Sequence, residues 1–179
     1  MKVGIYYFRT LYTQSAASLS VGKLSNKLLN NGYEVNLYLL NQSNFYDNIF
    51  NIKNVENLDY LIYKCNYKDF EFGIKFFKKI YEKYHKKIFL TGVFACLNKN
   101  RIEEKYSFLK IFNLLNDEDI SLTFPHVGTK IQKETVICNV DREIELNEHG
   151  KYINIELTNG CNKKCEFCHI NLLNHTKTD

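Results

Sequence analysis

Three cysteines stand within eight residues near the end of the chain, in the run Asn159-Gly160-Cys161-Asn162-Lys163-Lys164-Cys165-Glu166-Phe167-Cys168-His169. A C-x3-C-x2-C spacing gathers three thiolates around one small volume, and thiolates are the soft donors that iron–sulfur clusters and zinc select. Three protein ligands on a four-iron cluster leave one iron open to a small chelating ligand. The same residues allow other chemistry. With His169 as a fourth donor the set closes a zinc site, although adjacent Cys168 and His169 must then both turn toward one metal. Cys165-Glu166-Phe167-Cys168-His169 also matches C-x-x-C-H, the c-type haem attachment sequence, which belongs to exported proteins and leaves Cys161 without a role. A last reading has the three cysteines bind nothing.

The elements that must position these thiols can be read from periodicity. Tyr152-Ile153-Asn154-Ile155-Glu156-Leu157 alternates with period two and runs directly into the cysteines, so it predicts a strand with the cluster in the loop that follows. Only eleven residues follow Cys168. The expectation is the first strand and cluster loop of a domain, over 151–179, that this chain does not complete.

Residues 1–124 predict a separate domain. Lys2 to Phe8 reads as a strand. From about Ser15 to Asn31, Val21, Leu24 and Leu28 recur at helical spacing, and Asn30-Asn31-Gly32 is a left-handed stop. Tyr33 to Leu40 resumes strand character, and a polar stretch with Phe45, Ile49 and Ile52 at helical spacing follows. Asp59 to Cys65 reads as a third strand. Asp69 is placed to cap a helix with Phe72, Phe76, Ile80 and Tyr84 along one face. Lys87 to Thr91 predicts a fourth strand stopped by Gly92, Arg101 to Leu115 a helix, and Ile120 to Phe124 a weak strand. Pro125 marks a break, and 125–150 reads as a linker.

Strands joined by helical crossovers pair in parallel, which gives a doubly wound, mostly parallel, Rossmann-like α/β sheet. Such sheets bind ligands beyond the carboxyl ends of their strands, so the loops after Phe8, Cys65 and Gly92 are the ones expected to carry a site. The first of them, Arg9-Thr10-Leu11-Tyr12-Thr13-Gln14, lacks the G-x-G-x-x-G of a dinucleotide site.

The C-x3-C-x2-C motif, with Phe167 before the last cysteine and Thr158-Asn159-Gly160 ending the strand, resembles the radical S-adenosylmethionine enzymes. That resemblance implies that Cys161, Cys165 and Cys168 hold three irons of a 4Fe-4S cluster, with S-adenosylmethionine chelated to the fourth. It further implies cleavage of that cofactor to a 5′-deoxyadenosyl radical, Phe167 near the adenine, and a reductant such as flavodoxin or ferredoxin. The substrate would be a small molecule or a peptide. Because the remainder of the family's barrel has no counterpart here, this chain alone is expected to be inactive.

The upstream doubly wound domain resembles the cobalamin-binding domain of one branch of these enzymes, which implies cobalamin as a ligand. The D-x-H-x-x-G stretch that supplies histidine to cobalt is absent; neither His85 nor His126 sits in it. In the related methylthiotransferases the N-terminal domain carries three further cysteines. Cys65 and Cys96 stand at suitable places for two, the first loop offers none, and Cys65, Cys96 and Cys138 read better as buried small residues.

Composition sets the compartment and class. Apolar residues make up 45% and aromatics 15% of the chain, too many for a disordered segment. The net charge of +4 comes from interspersed Lys and Glu, so pairs such as Lys78-Lys79 and Lys86-Lys87 read as solvated faces rather than a nucleic-acid patch. The N-terminus has neither a signal peptide pattern nor a membrane span, and the expectation is a cytoplasmic protein with no membrane partner. Six cysteines in a reducing compartment point to metal ligands or buried thiols rather than disulfides. An open-iron cluster is oxygen-sensitive, which predicts anaerobic life.

Overall fold

The computed structural model describes residues 1–8, 19–40, 55–114 and 116–127. Five strands form one sheet: β1 (Lys2–Phe8), β2 (Glu34–Leu40), β3 (Tyr60–Lys64), β4 (Lys87–Thr91) and β5 (Leu109–Ile111). Their order is β2-β1-β3-β4-β5 and every pairing is parallel. The helices are α1 (Leu19–Asn30), α2 (Phe70–Tyr84), α3 (Val93–Leu97), α4 (Lys99–Lys105) and α5 (Asp117–Thr123). This is the doubly wound, Rossmann-like sheet that the alternation predicts. Among the described residues no helix is long and apolar enough to cross a membrane.

Both faces of the sheet are covered, which is why its central strands are apolar at nearly every position. Val3 to Phe8 of β1 are all buried. Val3, Ile5 and Tyr7 pack toward Val21, Leu24 and Leu28 of α1 and Ile120 of α5. Tyr6 and Phe8 face the opposite layer, where Phe76, Phe77 and Ile80 of α2 and Ile102 of α4 close the larger core. Each fully buried side chain of this size contributes about 1.5–3 kcal/mol relative to exposure.

Local signals set the element ends. After α1, Gly32 takes φ of 87°, a conformation a Cβ disfavours, and its amide donates back to the carbonyl of Leu29. Asp69 occupies the N-cap position of α2, yet its carboxylate accepts from the amide of Asn66 and the hydroxyl of Tyr63 instead of capping the helix. The buried stripe of α2 is also broader than the sequence suggests. It takes in Phe70, Ile74 and Phe77, while Phe72 and Tyr84 are only partly buried.

Two predictions near the end of the domain are corrected. Arg101 to Leu115 is not one helix, because α4 stops at Lys105 and β5 follows at Leu109–Ile111. The run is short and alternates inward and outward, and the Ile111 amide donates to the Glu103 carboxylate at 2.7 Å. Ile120 to Phe124 is not a strand. Asn116 caps α5 by accepting from the amides of Glu118 and Asp119, three acids fill the first turn, and Ile120 and Phe124 both enter the core beside α1. Past Pro125 the chain stays attached. The Tyr33 hydroxyl donates to the Pro125 carbonyl and the Val127 amide to that of Asn31.

The predicted loop 9–14, the Phe45, Ile49 and Ile52 stripe, Cys138, the strand at Tyr152 and the whole cysteine motif lie outside the described residues.

Candidate functional site at the carboxyl edge of the sheet

The strand order reverses between β1 and β3, since the chain leaves β1 toward β2 on one side and β3 toward β4 on the other. Crossovers diverge at that point and leave a crevice at the carboxyl edge. A cleft of about 460 Å³ lies along this edge. Lys64 enters it from the end of β3, Asn66 and Tyr67 from the turn after it, Gly92 to Phe94 from the start of α3, Asn113 and Leu114 from beyond β5, and Ser20 from the first turn of α1. Two of the three loops that the sequence singles out, those after Cys65 and Gly92, therefore border the cleft. The one after Phe8 is not described.

The passage from β4 into α3 needs glycine. Gly92 has φ of 115°, and a Cβ there would collide with the backbone carbonyl of Cys65. That close approach welds the loops after β3 and β4 together, and the Cys65 amide donates to Thr91 at 3.0 Å beside it.

Beneath Lys64 lies a buried polar network. The Asp69 carboxylate accepts from the Tyr63 hydroxyl at 2.8 Å, from the Asn66 amide at 2.7 Å and from the Asn66 side chain at 3.2 Å. Burial pushes the Asp69 carboxyl above the usual carboxylate range, against these hydrogen bonds and the Lys64 charge, which pull it down. Burial likewise holds the Lys64 ammonium below its ordinary value, while the charge of Asp69 opposes the shift. The Tyr63 hydroxyl is pushed up by burial and by Asp69, so it stays a proton donor throughout. The network fixes the turn that carries Asn66 and Tyr67 into the cleft, and it sets one partly desolvated cation against mostly apolar walls. Such a cation favours an anionic group on a ligand.

The thiols behave as small apolar residues in this fold. Cys65 is buried and Cys96 half-buried, with Cys96 donating to the Phe112 carbonyl at 3.5 Å. Burial raises both, Cys96 up to about 11, so both are protonated near neutral pH and are poor metal ligands in that form. Among the described residues no three His, Cys, Asp or Glu side chains gather as a metal site.

The two described histidines lie away from the cleft. His85 follows α2 and precedes β4, and His126 follows α5 next to the end of α1, so both sit at the amino edge. Neither fits a cobalt ligand at the carboxyl edge. Lys64 and Asn66 carry little signal in the sequence beyond a cation that ends an apolar strand just ahead of the loop after Cys65. The metal ligands expected from the sequence, Cys161, Cys165 and Cys168, and Phe167 with them, lie outside the described residues. Comparison with protein-family models, curated proteins and solved structures finds no match to this chain.

Proposed function

We propose that this chain is the N-terminal portion of a radical S-adenosylmethionine enzyme, in which an α/β domain precedes the cluster loop. The observation that carries the reading is the C-x3-C-x2-C motif with Phe167 directly before its last cysteine, following a strand-type run. The donor set fits the group. Cys161, Cys165 and Cys168 offer three soft thiolates and leave one iron for a chelating ligand. When bound, a 4Fe-4S cluster supplies an electron for reductive cleavage of S-adenosylmethionine to a 5′-deoxyadenosyl radical. An acidic electron carrier such as flavodoxin or ferredoxin would deliver that electron.

The α/β domain's own contribution is binding. Lys64 pairs with an anionic group, Asn66 and Asn113 hydrogen-bond beside it, and Val93, Phe94 and Leu114 exclude water from an apolar portion of a small substrate or peptide side chain. Among the described residues no histidine lies at the carboxyl edge to reach the cobalt of a cobalamin, the ligand that the upstream domain's resemblance implies.

Anaerobic reconstitution of the chain with iron and sulfide, followed by electron paramagnetic resonance of the dithionite-reduced sample, tests the assignment. The expected result is a four-iron signal that changes on adding S-adenosylmethionine and disappears in Cys165→Ala. Zinc in its place, with His169 as fourth ligand, or no metal at all, would sink it and leave an α/β binding module with a cysteine-rich tail.

A further inference from the structure

On the far side of Tyr67 and Phe94 from the cleft lies a second concavity, of about 410 Å³, between the start of α2 and helices α3 and α4. Its walls are aromatic. Phe70 packs against Phe94 and Tyr106 with ring centroids 5.0 and 6.3 Å apart, and Tyr67 meets Phe94 edge-on at 5.4 Å. Tyr67 is 76% exposed, so its ring stands at the rim and contributes little to the core. A large aromatic ring held in water beside a groove is available for stacking.

The charge of the groove is one-sided. Lys68, Arg101 and Lys105 border it, against a single carboxylate, Glu71. Arg101 and Lys105 are four residues apart on α4 and so share a face, and the buried Ile102 between them lies at the floor of the same groove. Among the described residues neither is in an ion pair; Lys105 instead lies over the Tyr106 ring, 5.1 Å from its centroid. Two cations one helical turn apart match two linked phosphates, and guanidinium adds bidentate geometry. Glu71 is placed to accept from ribose hydroxyls or an exocyclic amine.

We infer that this groove is a binding site for a nucleoside diphosphate, with the base against Tyr67 and the phosphates on Arg101 and Lys105. A volume of a few hundred Å³ suits one such molecule rather than a strand or a protein surface. The site does not involve the cysteine motif; it shares Tyr67 and Phe94 with the cleft at Lys64 but places its cations, Arg101 and Lys105, outside that cleft.

Titration calorimetry of the full chain at low ionic strength, with ADP, adenosine, pyrophosphate and a single-stranded oligonucleotide as probes, tests the assignment. ADP should bind more tightly than adenosine or pyrophosphate. Arg101→Gln with Lys105→Gln should weaken it by about tenfold or more, whereas the charge-matched pair Lys79→Gln with Lys83→Gln on the exposed face of α2 should not. Tyr67→Ala should remove the advantage of ADP over pyrophosphate. Absence of ADP binding, equal losses in both double variants, or an advantage untouched by Tyr67→Ala would overturn the site. Much tighter binding of the oligonucleotide would overturn it in favour of a strand-binding surface.

Discussion

Asp69 shows how a single residue couples strand, turn and helix. Its carboxyl is raised in the folded chain, mainly by burial, and ionising it therefore costs the native state. The sign follows directly. The stability Asp69 contributes is fully present below the unfolded carboxyl pKa of about 3.8 and declines as pH rises through the higher folded value. Asp69→Asn keeps an oxygen to accept from Tyr63 and Asn66 but has no proton to lose. Denaturant unfolding of both chains from acid to neutral pH should therefore show the wild type losing ground to Asp69→Asn as pH rises, then a constant difference. A difference that grows in favour of the wild type would contradict the burial argument. From the sequence, Asp69 looked like a helix cap, which is a local rule; its true donors include Tyr63, the last core side chain of the preceding strand.

At the scale of elements, α2 is held to the sheet by a contact that only glycine permits. The Tyr63 ring lies so close over Gly73 that a Cβ would strike it, and the ring has little freedom to yield because its hydroxyl is tied to Asp69 and it stacks on Phe77 at 4.9 Å. Alanine inside a helix ordinarily adds about 0.5–1 kcal/mol of stability over glycine. Here overpacking should outweigh it, and Gly73→Ala should destabilise by about 1–3 kcal/mol in thermal or chemical unfolding. A gain in melting temperature would show that the Tyr63 ring moves freely. Helix α2 was legible from its apolar spacing, but the glycine in its buried face carried no signal without the ring above it. The reversal at 101–124 has the same origin. The apolar run Phe108 to Phe112 suits either element on its own, and it becomes a strand because β4 offers an edge to pair with.

For the molecule as a whole, pairing is uneven across the sheet. Among the described residues β1, β3 and β4 have neighbours on both sides, whereas β2 and β5 are edges and β5 has only three residues. Native-state hydrogen exchange should therefore find the amides of β1, β3 and β4 slowest and those of β5 among the fastest of the sheet. Protection in β5 equal to that in β3 would mean that the edge is covered by more than the Glu103 carboxylate. The sequence by itself determined the described strands and helices through Thr91, the parallel doubly wound class and the spacing of the cysteine motif. All of these rest on local periodicity, on turn residues and on crossover length. Only the tertiary structure decided the strand order, the crevice at Lys64, the network around Asp69 and the basic aromatic groove on α4, because each joins residues from different crossovers and depends on which strand ends become neighbours.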